Sequence, residues 1–164
     1  MNEDRDEPPP RRTEDEATAR ALRLWVVLAR CFDSLEKVDR RSIARHGLIR
    51  SEFGVLEMLL HKGPLALSEI GKRILLTSGS VTHVVDKLVE RGWVVREPCP
   101  ADRRVIHARL TDTGREFIVD AFPDHAAQLR DAMAGLNADE QEIAARLLRK
   151  LGLFAADRES AAPE

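Results

Sequence analysis

Apolar residues recur at helical spacing from residue 16 to 45, where Leu24, Val27, Leu28, Cys31, Leu35 and Val38 mark one face of a long helix that Gly47 closes. A second apolar set, Phe53, Leu56, Met58, Leu59 and Leu60, follows Ser51 and stops at Gly63-Pro64, the punctuation of a helix end. The link Leu65-Ala-Leu67 reads as extended, and Ser68 to Leu76 as a helix of barely two turns. Thr77 can cap the next helix, from Ser78 to Arg91, which Gly92 terminates. Here Val81, Val84, Val85, Leu88 and Val89 share one face, while Gly79, Thr82, His83, Asp86, Lys87 and Glu90 share the other.

The pattern then changes period. Trp93 to Glu97 and Val105 to Leu110 are rich in β-branched residues and are separated by Pro98-Cys-Pro-Ala-Asp-Arg-Arg104, which predicts a hairpin with a long, basic tip. Thr111 can cap a helix from Asp112 to Ala134, in which Pro123 should produce a kink. Asn137 and Glu140 form a capping box for a last helix reaching Arg158. Residues 1–15 and 159–164 lack periodicity and read as tails, the first disordered, charged and Pro-rich.

The expected fold is therefore mainly α with a small β-hairpin wing. A short helix, a tight turn, a second helix and a hairpin form a winged helix-turn-helix, whose second helix enters the DNA major groove by its N-terminal residues. One feature of that helix agrees with such a role. Ser78, Gly79, Ser80, Thr82 and His83 fill its first turns without a carboxylate, although the macrodipole favours negative charge there. A phosphate backbone would meet N–H groups and hydroxyls, and Ser, Thr and His can bond to donor or acceptor base edges. Ser and Thr also cap helices without binding anything, and for Thr77 the two roles stand level.

Charge distribution adds to this reading. The chain of 164 residues has a formal net charge of -2, but residues 21–66 and 67–111 each hold 8 basic and 5 acidic residues, with acidic segments at both ends. The middle can therefore attract anions despite the acidic total. At the hairpin tip, Asp102 can orient Arg104 or Arg103 toward a minor groove or a phosphate. The DNA-binding candidates are Thr77, Ser78, Ser80, Thr82, His83, Lys87, Asp102, Arg103 and Arg104.

Other chemistry finds little support. The sequence lacks a Gly-x-Gly-x-x-Gly run, a phosphate-binding Gly-Lys-Ser/Thr loop, a nucleophile elbow and paired metal ligands, so neither an enzyme, a cofactor nor a metal is expected. No apolar run is long enough for a membrane span, and two cysteines fit a reducing, cytoplasmic setting. Cys31, on an apolar face, reads as a small buried hydrophobe. Cys99, between two prolines and near Arg96, Arg103 and Arg104, is a candidate redox site, although an incidental thiol is the simpler reading.

Leu67-Ser-Glu-Ile-Gly-Lys-Arg-Ile, Thr-Ser-Gly-Ser-Val-Thr, Asp-Arg-Arg and Leu110-Thr-Asp-Thr-Gly114 together resemble the DNA-binding lobe of MarR-family transcriptional regulators, and the resemblance spans most of residues 20–158. Within it, Pro-Cys-Pro-Ala-Asp-Arg-Arg and Phe122-Pro-Asp-His125 resemble most the MhqR-like branch, which responds to quinones and phenols. The resemblance implies a single domain over 16–158, with dimerisation helices at 16–46 and 112–158 around a lobe at 51–111. It implies an obligate homodimer on double-stranded DNA, repressing and released by a small aromatic or phenolic effector. The effector would be lined by Trp25, Arg30, Cys31, Phe53, His61, Phe117 and His125. Two rivals remain open: a winged-helix module that binds protein, and a small helical enzyme.

Overall fold

A computed structural model describes residues 15–74, 78–99, 102 and 104–161. Their order is α1 (Glu16–Ala44), α2 (Arg50–Lys62), β1 (Leu65–Ala66), α3 (Leu67–Ile74), α4 (Ser78–Glu90), β2 (Val94–Pro98), β3 (Ile106–Leu110), α5 (Asp112–Met133) and α6 (Ala138–Ser160). The chain divides into two compact units, Met1–Glu36 and Lys37–Glu164.

In the first unit the described residues are the start of α1. Asp15, expected in the tail, caps this helix: its carboxylate accepts from the Thr18 N–H at 2.7 Å. The bond holds its carboxyl below the ordinary carboxylate range, the side chain being fully exposed. Leu22, Leu24, Trp25, Val26, Val27 and Phe32 are exposed. Cys31 is exposed too, against the expectation of burial, because apolar spacing marks a face without saying what covers it.

The second unit is built on Phe53, Val55, Leu56 and Leu59 of α2, Ile70 of α3, Val81, Val85 and Leu88 of α4, and Ile118 and Ala121 of α5, all buried. Leu65 pairs with Ala108 and Ala66 with His107, so β1, read from sequence as a mere link, joins the hairpin in an antiparallel sheet of order β1-β3-β2. In the hairpin Val94 pairs with Leu110 and Pro98 with Ile106. Val89 is 38% exposed, although sequence spacing placed it on the packed face. It lies about 90° from the middle of the arc formed by Val81, Val84, Val85 and Leu88, at the border of the buried stripe.

Helix ends follow local chemistry. Gly63 (φ 76°) ends α2, and its N–H donates to the Leu59 carbonyl. Gly92 (φ 72°) ends α4: its N–H donates to Val89 O and that of Trp93 to Leu88 O, a Schellman pair that turns the chain into β2. Asn137 and Glu140 make the reciprocal capping bonds expected of them, at 2.9 and 3.0 Å. Helix α5 continues through Pro123 as one helix, and α6 runs to Ser160, beyond the expected Arg158.

The junction of α4, β2 and α5 is the tightest in the lobe. The Thr111 hydroxyl donates to Gly92 O at 2.7 Å and accepts from the Gly114 N–H at 2.9 Å, while the Thr111 N–H donates to Trp93 O at 3.0 Å. A Cβ on Gly114 would lie 2.0 Å from that Trp93 oxygen, so only glycine lets α5 start here. The Trp93 and Phe117 rings stack at 4.0 Å beside this contact.

Candidate nucleic-acid interface

Helix α4 presents the face anticipated for a recognition helix. Its first turn contains no acidic residue. Ser80, Thr82 and His83 are exposed with Gly79, while Val81, Val84, Val85 and Leu88 hold the helix to the lobe. Thr77, its expected cap, and Arg103 lie outside the described residues, as does the side chain of Ser78. Lys87 is half-buried at its stem, further along the same helix.

The first acidic residue of α4 is neutralised from the wing. Arg96 of β2 donates one guanidinium nitrogen to Asp86 Oδ1 at 2.9 Å and to the Thr82 carbonyl at 3.1 Å. That contact joins α4 to the hairpin and offsets the negative charge of Asp86. Sequence reading named Arg96 only as a neighbour of Cys99. The signal for this contact is the spacing of Asp86 and Arg96 on either side of the Gly92 turn, and it becomes visible only when β2 is known to pack beside α4.

At the wing tip, Cys99 N–H donates to Val105 O and Val105 N–H to Asp102 O, closing the turn. Asp102 then grips Arg104 by both carboxylate oxygens, each at 3.0 Å from a guanidinium nitrogen, and Oδ1 also accepts the Arg104 backbone N–H. These bonds hold the Asp102 carboxyl below its ordinary range and raise the Arg104 guanidinium above its own. The Arg104 side chain is 91% exposed, and its planar head is aimed by a rigid fork. Lower on the hairpin Arg109 pairs with Glu97 at 2.6 Å, which lowers the Glu97 carboxyl in the same way.

Four of the basic residues of segment 67–111 thus have an acidic partner within the segment: Arg73 with Glu69, Arg96 with Asp86, Arg104 with Asp102 and Arg109 with Glu97. Arg91 spans Glu52, the Gly47 carbonyl and the face of Trp93. Exposed Lys72 of α3, overlooked in the sequence, belongs beside Lys87 as a cation of the lobe that can meet phosphate.

The residues expected to line an effector site lie on α1, α2 and α5. Phe53 is 1% exposed and packs its ring 4.5 Å from that of His125, so it serves the core. Phe117 is stacked on Trp93, and exposed His61 meets Phe122 edge-on at 5.1 Å. Trp25 and Arg30 are exposed on α1 with Cys31. Cys99, the redox candidate, is half-buried in the wing turn. Among the described residues no cluster of three potential metal ligands exists, and no helix is long and apolar enough to cross a membrane.

A three-stranded wing joined by an arginine to an acid-free helix start defines a winged-helix DNA-binding protein. Residues 48–106 match the model of the MarR family. The chain is 42% identical to the HTH-type transcriptional regulator MhqR of Bacillus subtilis over 84% of its own length and 95% of that protein. It is 43% identical to the HTH-type transcriptional regulator YkoM of the same organism, over 85% and 90% respectively. Among solved structures it resembles Sco3205, a MarR family regulator from Streptomyces coelicolor in complex with DNA. There the TM-score is 0.76 at 28% identity, over 90% of this chain and 91% of that one. The chain belongs to the MarR family of DNA-binding transcriptional regulators, and is not an enzyme.

Proposed function

We propose that this protein is a repressor that binds a pseudopalindromic duplex as a homodimer and leaves it when a small aromatic effector binds. The observation that carries the dimer is uncovered apolar surface. Ile143, Leu147, Leu148, Leu151, Leu153 and Phe154 of α6 are all exposed, as is the apolar set around Trp25 on α1. From Leu22 to Phe32 the apolar residues surround α1 on most sides, a pattern of helices buried all round. A second copy of the chain, with the same two helices, offers the matching surface and a two-fold axis.

Each subunit would then present Thr77, Ser78, Ser80, Thr82, His83 and Lys87 to a major groove, with half-sites one helical turn apart, and Asp102-Arg103-Arg104 to the flanking backbone or minor groove. For the effector, BpsR of Bordetella bronchiseptica offers support: its structure, 26% identical with a TM-score of 0.69 over 77% of this chain and 90% of that one, concerns regulation of DNA binding by 6-hydroxynicotinic acid. A hydroxylated aromatic, a phenol or a quinone, is the corresponding class here, with modification of Cys99 as a second route of release.

The test is light scattering of the purified protein, followed by footprinting on duplexes it selects from a random pool. A dimer protecting two symmetric half-sites, with affinity declining steeply in salt, is the expected result. A monomer, or protection of one isolated half-site, contradicts the reading. Release by phenols or quinones that persists in Cys99→Ser assigns the response to non-covalent binding.

A further inference from the structure

The sequence singles out Phe122-Pro-Asp-His125, yet no DNA-facing role absorbs it. His125 of α5 is 5% exposed. It meets the end of α1 and the start of α2 within the second unit, in a polar cluster under the lobe. Its Nδ1 lies 2.7 Å from Ser42 Oγ, and its Nε2 lies 3.7 Å from Asp39 Oδ1. Arg50 Nε, from α2, approaches the other Asp39 oxygen at 3.0 Å. The neighbouring Asp124 faces His46 Nε2 at 3.4 Å, and the Phe53 ring covers the imidazole at 4.5 Å. The charged and titratable groups around the ring are thus Asp39 from α1, Arg50 from α2, Asp124 from α5 and His46 from the intervening turn.

Proton counting distinguishes the possible states of this cluster. Ser42 has one hydroxyl proton, and its Oγ also lies 2.9 Å from the Asp39 main-chain carbonyl. If that proton goes to the carbonyl, the contact with His125 is a hydrogen bond only when Nδ1 carries hydrogen and donates to Oγ. In a neutral ring of that tautomer, Nε2 would turn a lone pair toward the Asp39 carboxylate. In the other neutral tautomer Nε2 carries the hydrogen, Ser42 must donate to Nδ1, and the Asp39 carbonyl loses its bond. The neutral Nδ1–H ring keeps both hydrogen bonds, Nδ1–H to Ser42 and Ser42 O–H to Asp39 O, and the imidazolium adds to them a positive charge facing the Asp39 carboxylate across 3.7 Å.

We propose that His125 is a positioning residue for DNA binding, whose imidazolium locks α5 to the end of α1 through Ser42 and Asp39 and gives DNA affinity a proton-dependent part. The proposal rests on the DNA-binding reading. A locked joint carries the lobe at one angle, and a lobe that is already ordered loses less freedom on binding. Losing the proton gives up one of the three contacts, so affinity falls as pH rises. The wing carboxylates Glu97 and Asp102, both held below their ordinary range, keep their charge throughout and add nothing to that change.

Fluorescence anisotropy on a duplex selected from a random pool, at constant ionic strength between about pH 6 and about pH 8 where imidazoles titrate, measures it. Wild type should lose about fivefold more affinity across the range than His125→Gln, a coupling of ordinary size. His46, His61, His83 and His107 remain in both proteins, so their effects cancel. Asp39→Asn, which leaves the ring in place and removes the facing carboxylate, should remove the same part, and ¹⁵N-resolved imidazole signals of the wild type should show both ring nitrogens protonated at the acid end. Superimposable profiles of the wild type and His125→Gln overturn the proposal, as does an Nδ1 without hydrogen at every pH. If His125→Gln fails to fold, Asp39→Asn and the ring signals decide alone. Absence of duplex binding at every pH would overturn the DNA-binding reading itself, whereas pH-independent binding overturns only the role of His125.

Discussion

Gly114→Ala sets two physical effects against each other. Alanine is the better helix former by about 1 kcal/mol, so propensity alone predicts that this substitution in α5 stabilises the protein. The geometry predicts the reverse. The new methyl would sit 2.0 Å from the Trp93 carbonyl oxygen, 2.7 Å from its carbon and 2.8 Å from its Cα, all backbone atoms without a rotamer to change. Relief requires the start of α5 to move away from the Gly92 turn. That movement lengthens the Thr111 bonds to Trp93 O and Gly92 O and disturbs the stacked Trp93 and Phe117 rings. Overpacking costs about 1–3 kcal/mol and loss of an N-cap about 1 kcal/mol, so after the propensity gain the net is roughly 2 kcal/mol of destabilisation. For a chain of this length that lowers Tm by roughly 6 °C. Thermal melts followed by circular dichroism at fixed protomer concentration measure it, since self-association would make Tm depend on concentration. Gly79→Ala, where nothing lies within 4 Å, is the control and should hold or raise Tm. A Gly114→Ala protein melting at or above the wild type would refute the argument.

Arg104→Ala should weaken duplex binding about tenfold and reduce the salt slope by about one, with Tm unchanged; an unaltered salt slope would remove Arg104 from the DNA surface. Arg96→Ala leaves Asp86 uncompensated on the recognition helix and should also cost about tenfold in DNA affinity, while stability changes by less than about 1 kcal/mol because the pair is exposed. The double variant with Asp86→Ala should regain part of the loss, and strict additivity of the two in anisotropy titrations would show that the residues act independently. Thr111→Val removes the cap of α5 and should lower stability by about 1 kcal/mol in urea titrations, with no change in the slope against denaturant.

What sequence could reveal depended on the range of the interaction. The acid-free start of α4 was legible because the macrodipole and the capping residues act within one or two turns. The glycine that ends α4, the Thr111 cap and the Asn137-Glu140 box are likewise local. Strand β1 was not legible, since two residues carry no period and become a strand only by pairing with Ala108 and His107. Gly114 stood within a quoted motif, but its cause, the Trp93 carbonyl, is reached through the hairpin. The ring partners of Phe53 and Phe117 were not legible either, because His125 and Trp93 are far from them in sequence and reach them only through the fold. Cys31 failed for the complementary reason: an apolar face is a demand for cover, and the chain itself does not meet that demand.

The same logic bears on how the lobe reads DNA. An acid-free helix start attracts phosphate only if later carboxylates are prevented from cancelling it, and Asp86 lies one turn beyond Thr82. Arg96 resolves this by placing a guanidinium between the Asp86 carboxylate and the Thr82 carbonyl. Because Arg96 belongs to β2, the neutralising charge is present only when the wing is docked. Asp102 performs the converse task at the tip, where it fixes the direction of Arg104 while leaving that side chain 91% exposed. Two acid–base pairs of similar length therefore differ in consequence: one offsets a carboxylate on α4, and the other holds a cation out into solvent. The wing and the recognition helix form one electrostatic surface, and a substitution that undocks the hairpin should impair major-groove binding even when every residue of α4 is intact.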